Sequence, residues 1–445
     1  MVIIGLFVIF SGIFSGGLSS SINKNIYAVA SKGAASCRLT EKNAEIETND
    51  LTSELKVLGQ PFELSEYARN IWDMQLFEGR IYLGCGNLGN YGPGSNAGPV
   101  PVIYYDIENG EFVTQAIIDE EQIDIYKILD GRLVIPGQDP MESWDYGNFY
   151  TLTKDGWEQM RTIPDGIHVF DMESLKGNLF AAVGTRRFGA AVMSADMGKT
   201  WVSLMPEGAR RFFTGGRAYS VFHFKEKLYF AGALFGGIGF SNKFLCIDYS
   251  DIPQISGITD STNADIADAS VDSDISAVIS KVGSSSTEDA RKKGYTVYAY
   301  NMLPGAGWNS MMRLVRVNEI NDKLVYIAAY LDNGSQWLND ALYTAEDINR
   351  VKRIRLPEPH AVPMDIILRN DNAYLLTHKE SADSYSNIVY SSEDMYNWSE
   401  CFRFTADTFA RSFEESDGVF YFGMGCYIDH LSEATGSIVR IAVND

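Results

Sequence analysis

The sequence predicts an all-β fold, a seven-bladed β-propeller of four-stranded blades closed by an N-terminal strand. Three observations carry that prediction. One hairpin phrase recurs seven times: an apolar run, a turn of the Asp-Gly type, and a second apolar run opening on Leu, Ile or Val. The turns fall at residues 79, 131, 177, 226, 322, 371 and 417, with steps of 46 to 52 residues except for one of 96. Such steps hold four short strands and their turns. Finally, the last repeat ends after a third strand at Gly436 to Val443, while Leu55 to Phe62 forms an extended stretch with no place in the first repeat. That stretch is expected to complete the seventh blade and cover its edge.

The first blade is placed at about 71 to 77, 80 to 86, 101 to 106 and 111 to 118, the second at about 122 to 129, 132 to 136, 148 to 153 and 157 to 163. The double-length step contains residues 256 to 290. These are rich in Ser, Asp and Ala without strand alternation, and read as a disordered insertion rather than an eighth blade. The domain plan is therefore a signal peptide or anchor over 1 to 30, a polar linker over 31 to 52, and the propeller over 53 to 445.

The first 17 residues are almost wholly apolar, and Ala28-Val29-Ala30 follows as a small-x-small cleavage signal, so the chain is expected to be secreted or held at the cell surface. A retained membrane anchor or lipid attachment at Cys37 are the alternatives. A net charge of -21 repels a polyanion such as DNA in the average field, so nucleic acid is not expected as a partner, although a local basic cluster can still bind an anion because nearby charges outweigh the total at a site. One large unit with a covered edge is expected to be a monomer. Cys85 and Cys426 follow the second strands of the first and seventh repeats, neighbours in a closed ring, and are expected to be bonded; buried free thiols are the alternative.

Ser194-Ala195-Asp196-Met197-Gly198-Lys199-Thr200-Trp201 has the pattern S-x-D-x-G-x-T-W. It resembles the Asp-box, or BNR repeat, of the sialidase-like β-propeller superfamily. Weaker echoes stand at Thr344 to Asp347 and at Ser391 to Asp394, the latter followed by Trp398. The resemblance implies structural roles for Ser194, Asp196, Gly198, Thr200 and Trp201 on the face opposite a binding site, and leans toward carbohydrate. Seven blades rather than six, and Arg69 followed by Asn70-Ile71 rather than an Ile-Pro pair, depart from true sialidases.

Connections between the second and third strands, and between blades, emerge on one face around the channel mouth, where a site is expected. Gln138 to Tyr146 places Asp139 and Glu142 among Trp144, Asp145 and Tyr146, the mixture of carboxylates and rings that binds sugars. Asp139 and Glu142 are the candidate catalytic pair of a glycosidase. Arg186, Arg187, Arg210, Arg211 and Arg217 fall on adjoining loops and suit an anionic group such as a uronic acid or sulfate; pairing with the chain's own acids is the alternative. His168, His360, Trp308, Asn309 and Trp337 complete the candidate ligand-binding set. No metal spacing, phosphate loop, nucleophile elbow or dinucleotide fingerprint is present, so no metal or cofactor is expected. Three functions stay open: binding of carbohydrate or another cell-surface polymer, a hydrolase or lyase acting on an anionic sugar, and a protein-interaction scaffold.

Overall fold

A computed structural model describes residues 49–91, 98–186, 189–205, 217–235, 242–252, 295–306, 311–332, 336–369 and 372–443. The leader, the 256 to 290 insertion and Arg187, Arg210, Arg211, Trp308 and Asn309 lie outside them. The described chain is seven antiparallel sheets arranged as a β-propeller, and no α-helix occurs among the described residues.

Blade one is Met74–Phe77, Arg80–Leu83, Val100–Asp106 and Glu111–Ile118, and blade two is Lys127–Leu129, Arg132–Pro136, Tyr146–Thr153 and Gly156–Pro164. Blade three runs Gly166–Leu175, Asn178–Thr185, Gly189–Ser194 and Val202–Ser203; blade four runs Ala218–Phe224, Lys227–Gly232, Asn242–Asp248 and Tyr295–Tyr300. Blade five is Met311–Ile320, Lys323–Asp332, Gln336–Asp347 and Arg350–Arg353, and blade six is Val362–Arg369, Asn372–Glu380, Tyr385–Ser392 and Ser399–Ala406. Blade seven takes Phe409–Ser416, Val419–Gly425 and Ile438–Ala442 from the carboxyl end and Lys56–Gly59 from the amino end, with Val57 opposite Val439. The expected closure is thus formed.

The recurrent turns explain the hairpins. Both central residues have positive φ at Glu78-Gly79, Asp130-Gly131, Lys176-Gly177, Lys225-Glu226, Asn321-Asp322 and Asp417-Gly418, the twist that continues two antiparallel strands without splaying them. Between blades the core is apolar and layered. Tyr82, Tyr326, Tyr343, Phe180, Phe230 and Phe402 are among the large side chains with essentially no exposure.

Two expectations change. Cys85 and Cys426 are free buried thiols, because each faces its own surroundings: Cys85 joins the core beside Tyr126 and approaches the Pro101 carbonyl, whereas Cys426 lies 3.5 Å from Asn70 Nδ2. The segment assigned to a linker is tied down from Asn49 onward. Asp50 bridges Arg403, Thr52 Oγ1 accepts the Thr405 amide, and Leu51 and Leu55 pack on the core of blades six and seven. The N-terminal segment therefore pins two blades rather than one.

Candidate functional site

The inner strands share a register that builds the channel mouth. Six residues before the second turn residue of each hairpin stand Asp73, Ile125, Asp171, Ser220, Arg316, Asp365 and Ser412. Five of these reach the inner strand of the next blade. Asp73 accepts the Tyr126 amide at 2.6 Å, Asp171 the Val221 amide at 3.0 Å, and Asp365 the Phe413 amide at 3.2 Å. Ser220 donates to the Leu314 carbonyl and Ser412 to the Ile71 carbonyl, both at 2.9 Å. Each is preceded by an irregularity in strand pairing, a β-bulge that re-aims the residue before it.

Those preceding residues are Trp72, Phe170, Tyr219, Met364 and Arg411, with Val315 at the same offset in blade five, and two positions before these six come Asn70, His168, Arg217, Val362, Phe409 and Arg313. Phe170, Tyr219, Trp72, His168, Arg217, Arg313 and Arg411 bring rings and guanidinium groups to the starts of the inner strands, while Met364, Val362 and Phe409 join the core of blades six and seven. His168 meets Phe170 at 5.1 Å, Phe170 meets Tyr219 at 4.7 Å, and Tyr219 meets Trp337 at 5.5 Å between ring centres. The Arg313 guanidinium lies 4.9 Å from the Trp337 ring centre and 5.8 Å from that of Tyr219. Across the ring Arg411 covers Trp72 at 4.4 Å while bonding Asn70 Oδ1 and the Cys426 carbonyl.

The loop between the second and third strands of blade two enters this mouth. Gln138–Pro140 pairs with Glu120–Gln122 and, through Gln138, with His168, extending the sheet of blade three inward by two strands. Asp139 consequently lies under the influence of Arg217, yet burial pushes its carboxyl up to about 6. His168 is held down to about 3 by burial and by the Arg217 charge, so its imidazole is neutral. Glu120, fully buried, is pushed up to about 8 by desolvation, although Asn148 Nδ2 at 2.6 Å and Tyr150 Oη at 3.1 Å donate to it.

Arg217 donates to the Thr185 carbonyl at 2.9 Å, and neither it nor Arg313 forms an ion pair among the described residues. Asp139 Oδ1, His168 Nδ1, Gln138 Oε1 and Arg313 Nε are buried polar atoms with no hydrogen-bond partner among the described residues. A ligand offering hydroxyls and negative charge matches that unsatisfied set.

The remaining candidates divide. Asp139, His168, Arg217 and Trp337 come together at the mouth. Glu142 does not face Asp139; its carboxylate lies 2.5 Å from Arg161 Nε and beside Asp119. Asp145 and Arg186 approach at 3.6 Å on the exposed rim, where Trp144 and Tyr146 also stand, and His360 is exposed on the connection into blade six. Phe170, Tyr219, Arg313 and Glu120 carry the mouth without having been singled out. For the first three the signal was the fixed offset from the hairpin turn, a register visible only once the inner strand is known, whereas Glu120 sits on the short strand Glu120–Gln122 outside that register.

The opposite face holds the Ser194 to Trp201 turn. Asp196 accepts the Thr200 amide at 2.8 Å and its hydroxyl at 2.6 Å, Ser194 Oγ accepts the Gly198 amide at 2.7 Å, and Trp201 packs on Phe149. A Cβ at Gly198 would come within 2.3 Å of the Phe149 ring. A similar cage surrounds Asp394, which accepts the Tyr396 and Asn397 amides, with Met395 carrying the positive φ that Met197 carries after Asp196 in the first.

Fold and site define a seven-bladed β-propeller with an aromatic and cationic mouth on its loop-bearing face. No family model and no curated protein matches the chain. Among solved structures it is similar to hydrazine synthase of Kuenenia stuttgartiensis, at a TM-score of 0.47 and 9% identity over 86% of this chain and 99% of that one. It is also similar to an auxiliary nutrient binding protein from Bacteroides ovatus, with a TM-score of 0.41 and 11% identity over 89% and 76% of the two chains. The GH74 xyloglucanase from Xanthomonas campestris aligns with a TM-score of 0.43 and 10% identity over 83% of this chain and 52% of its own. Likenesses this distant carry no assignment of ligand or activity.

Proposed function

We propose that the protein is an exported binding propeller that holds an anionic sugar of a carbohydrate or cell-surface polymer in the mouth of its loop face. One observation carries the reading. In a chain of net charge -21, Arg217 and Arg313 stand without an ion pair among the described residues, Arg313 against the rings of Tyr219 and Trp337 and Arg217 within electrostatic reach of Asp139 and His168. Guanidinium groups suit a carboxylate or sulfate, aromatic faces suit the apolar side of a pyranose, and Asp139 with neutral His168 suits hydroxyls. Export rests on the apolar amino terminus, and the Asp-box resemblance adds the lean toward carbohydrate.

Affinity electrophoresis through acidic and neutral polysaccharides tests it. Retardation by an acidic polymer, lost in the Arg217→Ala, Arg313→Ala double variant, is the expected result; retardation by none favours the protein scaffold. A second reading, a glycan-active hydrolase or lyase, is favoured by Glu120 and Asp139, two carboxyl groups in electrostatic reach whose burial pushes them to about 8 and about 6. Release of sugar products by the wild type and its loss in Asp139→Asn would promote that reading.

A further inference from the structure

We infer that the ligand is a polymer chain rather than a terminal sugar, and that Trp144 and Tyr146 form a second sugar platform on the rim, outside the mouth. The inference rests on the binding reading above and names the length of the ligand. Single exposed hydrophobics are ordinary, but Met141, Trp144 and Tyr146 are 46%, 43% and 44% exposed together on one loop. The loop is not loose. From the outer strand of blade two, Arg161 Nη2 donates to the Ser143 carbonyl at 2.5 Å and to Ser143 Oγ at 2.8 Å. The same guanidinium meets Glu142 at 2.5 Å and lies 5.9 Å from the Tyr146 ring centre. On the far side the Asp145 carbonyl accepts the Asp165 amide at 2.9 Å, and the Asp145 carboxylate faces Arg186. Exposed rings on a braced loop lose little freedom when a ligand settles on them.

The loop also has a direction. It begins at Gln138, paired with His168 on the first strand of blade three, and ends at Tyr146, the first residue of the third strand of blade two. Gln138 is buried and Asp139 partly buried at one end, while Trp144 and Tyr146 are exposed at the other, so the same backbone segment runs from the mouth to the rim. A chain of linked sugars spans both. Protein interfaces are depleted in Glu, Asp and Ser, and those are the residue types that flank the two rings here, at Glu142, Ser143 and Asp145.

The test uses the full chain, calorimetry, and two probes of the same chemistry, polygalacturonate and galacturonic acid. Trp144→Ala is expected to weaken polygalacturonate binding about tenfold and to leave the monosaccharide unchanged. Arg161→Ala, which frees the loop without removing the ring, is expected to act in the same sense. An unchanged polymer affinity, an equal loss for both probes, or failure of the wild type to bind the polymer overturns the platform. Loss on the polymer with an Arg313→Ala variant that binds both probes normally leaves the platform standing and refutes the mouth instead.

Discussion

Arg316 of blade five reaches Asp73 of blade one, its Nη1 lying 2.5 Å from Asp73 Oδ1 across the axial channel, while its Nε holds Asp365 of blade six at 3.0 Å. Arg316 occupies the register position where other blades carry the Asp or Ser that bonds their neighbour, and its φ of 52° turns it off the strand. Burial pushes both carboxyls up and the shared guanidinium pulls them back down. Arg316→Met strands two buried carboxylates and is expected to lower stability by about 3 to 5 kcal/mol in urea unfolding. Adding Asp73→Asn and Asp365→Asn should recover most of that loss; no recovery would mean the arginine matters for packing alone.

Glu120 makes the stability depend on pH. Its folded carboxyl titrates at about 8, above the ordinary value of 4.5, so the folded state binds the extra proton and Glu120 contributes stability that is present at low pH and lost as pH rises between those values. Glu120→Gln keeps the shape and removes the titration. The stability difference, variant minus wild type, is expected to rise steadily from pH 5 to pH 8.5 in melting experiments. His168 and His378, both held down to about 3, titrate in the opposite sense in both proteins and cancel in that difference.

The Asp196 turn is a structural element, and its removal should separate stability from binding. Asp196→Ala loses the acceptor of the Thr200 amide and hydroxyl and is expected to cost about 1 to 3 kcal/mol. Polysaccharide retardation should be unaltered. A selective loss of binding with a normal melting temperature would place ligand on that face instead.

Closure by the amino-terminal strand has its own consequence. Deleting residues 49 to 60 exposes the edge of Ile438–Ala442 and unpins Arg403 and Thr405 of blade six. The truncated chain is expected to melt lower and to self-associate in sedimentation, whereas an unchanged monomer would show the strand to be dispensable.

The architecture was legible because hairpin turns and apolar alternation are local: the turns at Gly79, Gly131, Gly177 and Gly418 announced themselves, as did the unpaired stretch ending in Phe62. The site was legible only in part. Asp139, His168, Arg217 and Trp337 stood out by residue type, but Tyr219 and Arg313 look like ordinary strand residues until a bulge or a strand start turns them to the mouth. The pairing of Glu142 with Arg161 joins a loop to the fourth strand of the same blade, and no spacing rule encodes it. Likewise Cys85 and Cys426 are neighbours by blade order, yet the side chains around each decide where its sulfur points.

Hydrogen exchange with and without a retarded acidic polysaccharide tests the central claim most directly. Binding at the mouth predicts slowed exchange at 138 to 146, 166 to 171, 217 to 220 and 311 to 313, with no change around 194 to 201. Protection confined to the 194 to 201 face, with the inner-strand starts unaffected, would contradict it.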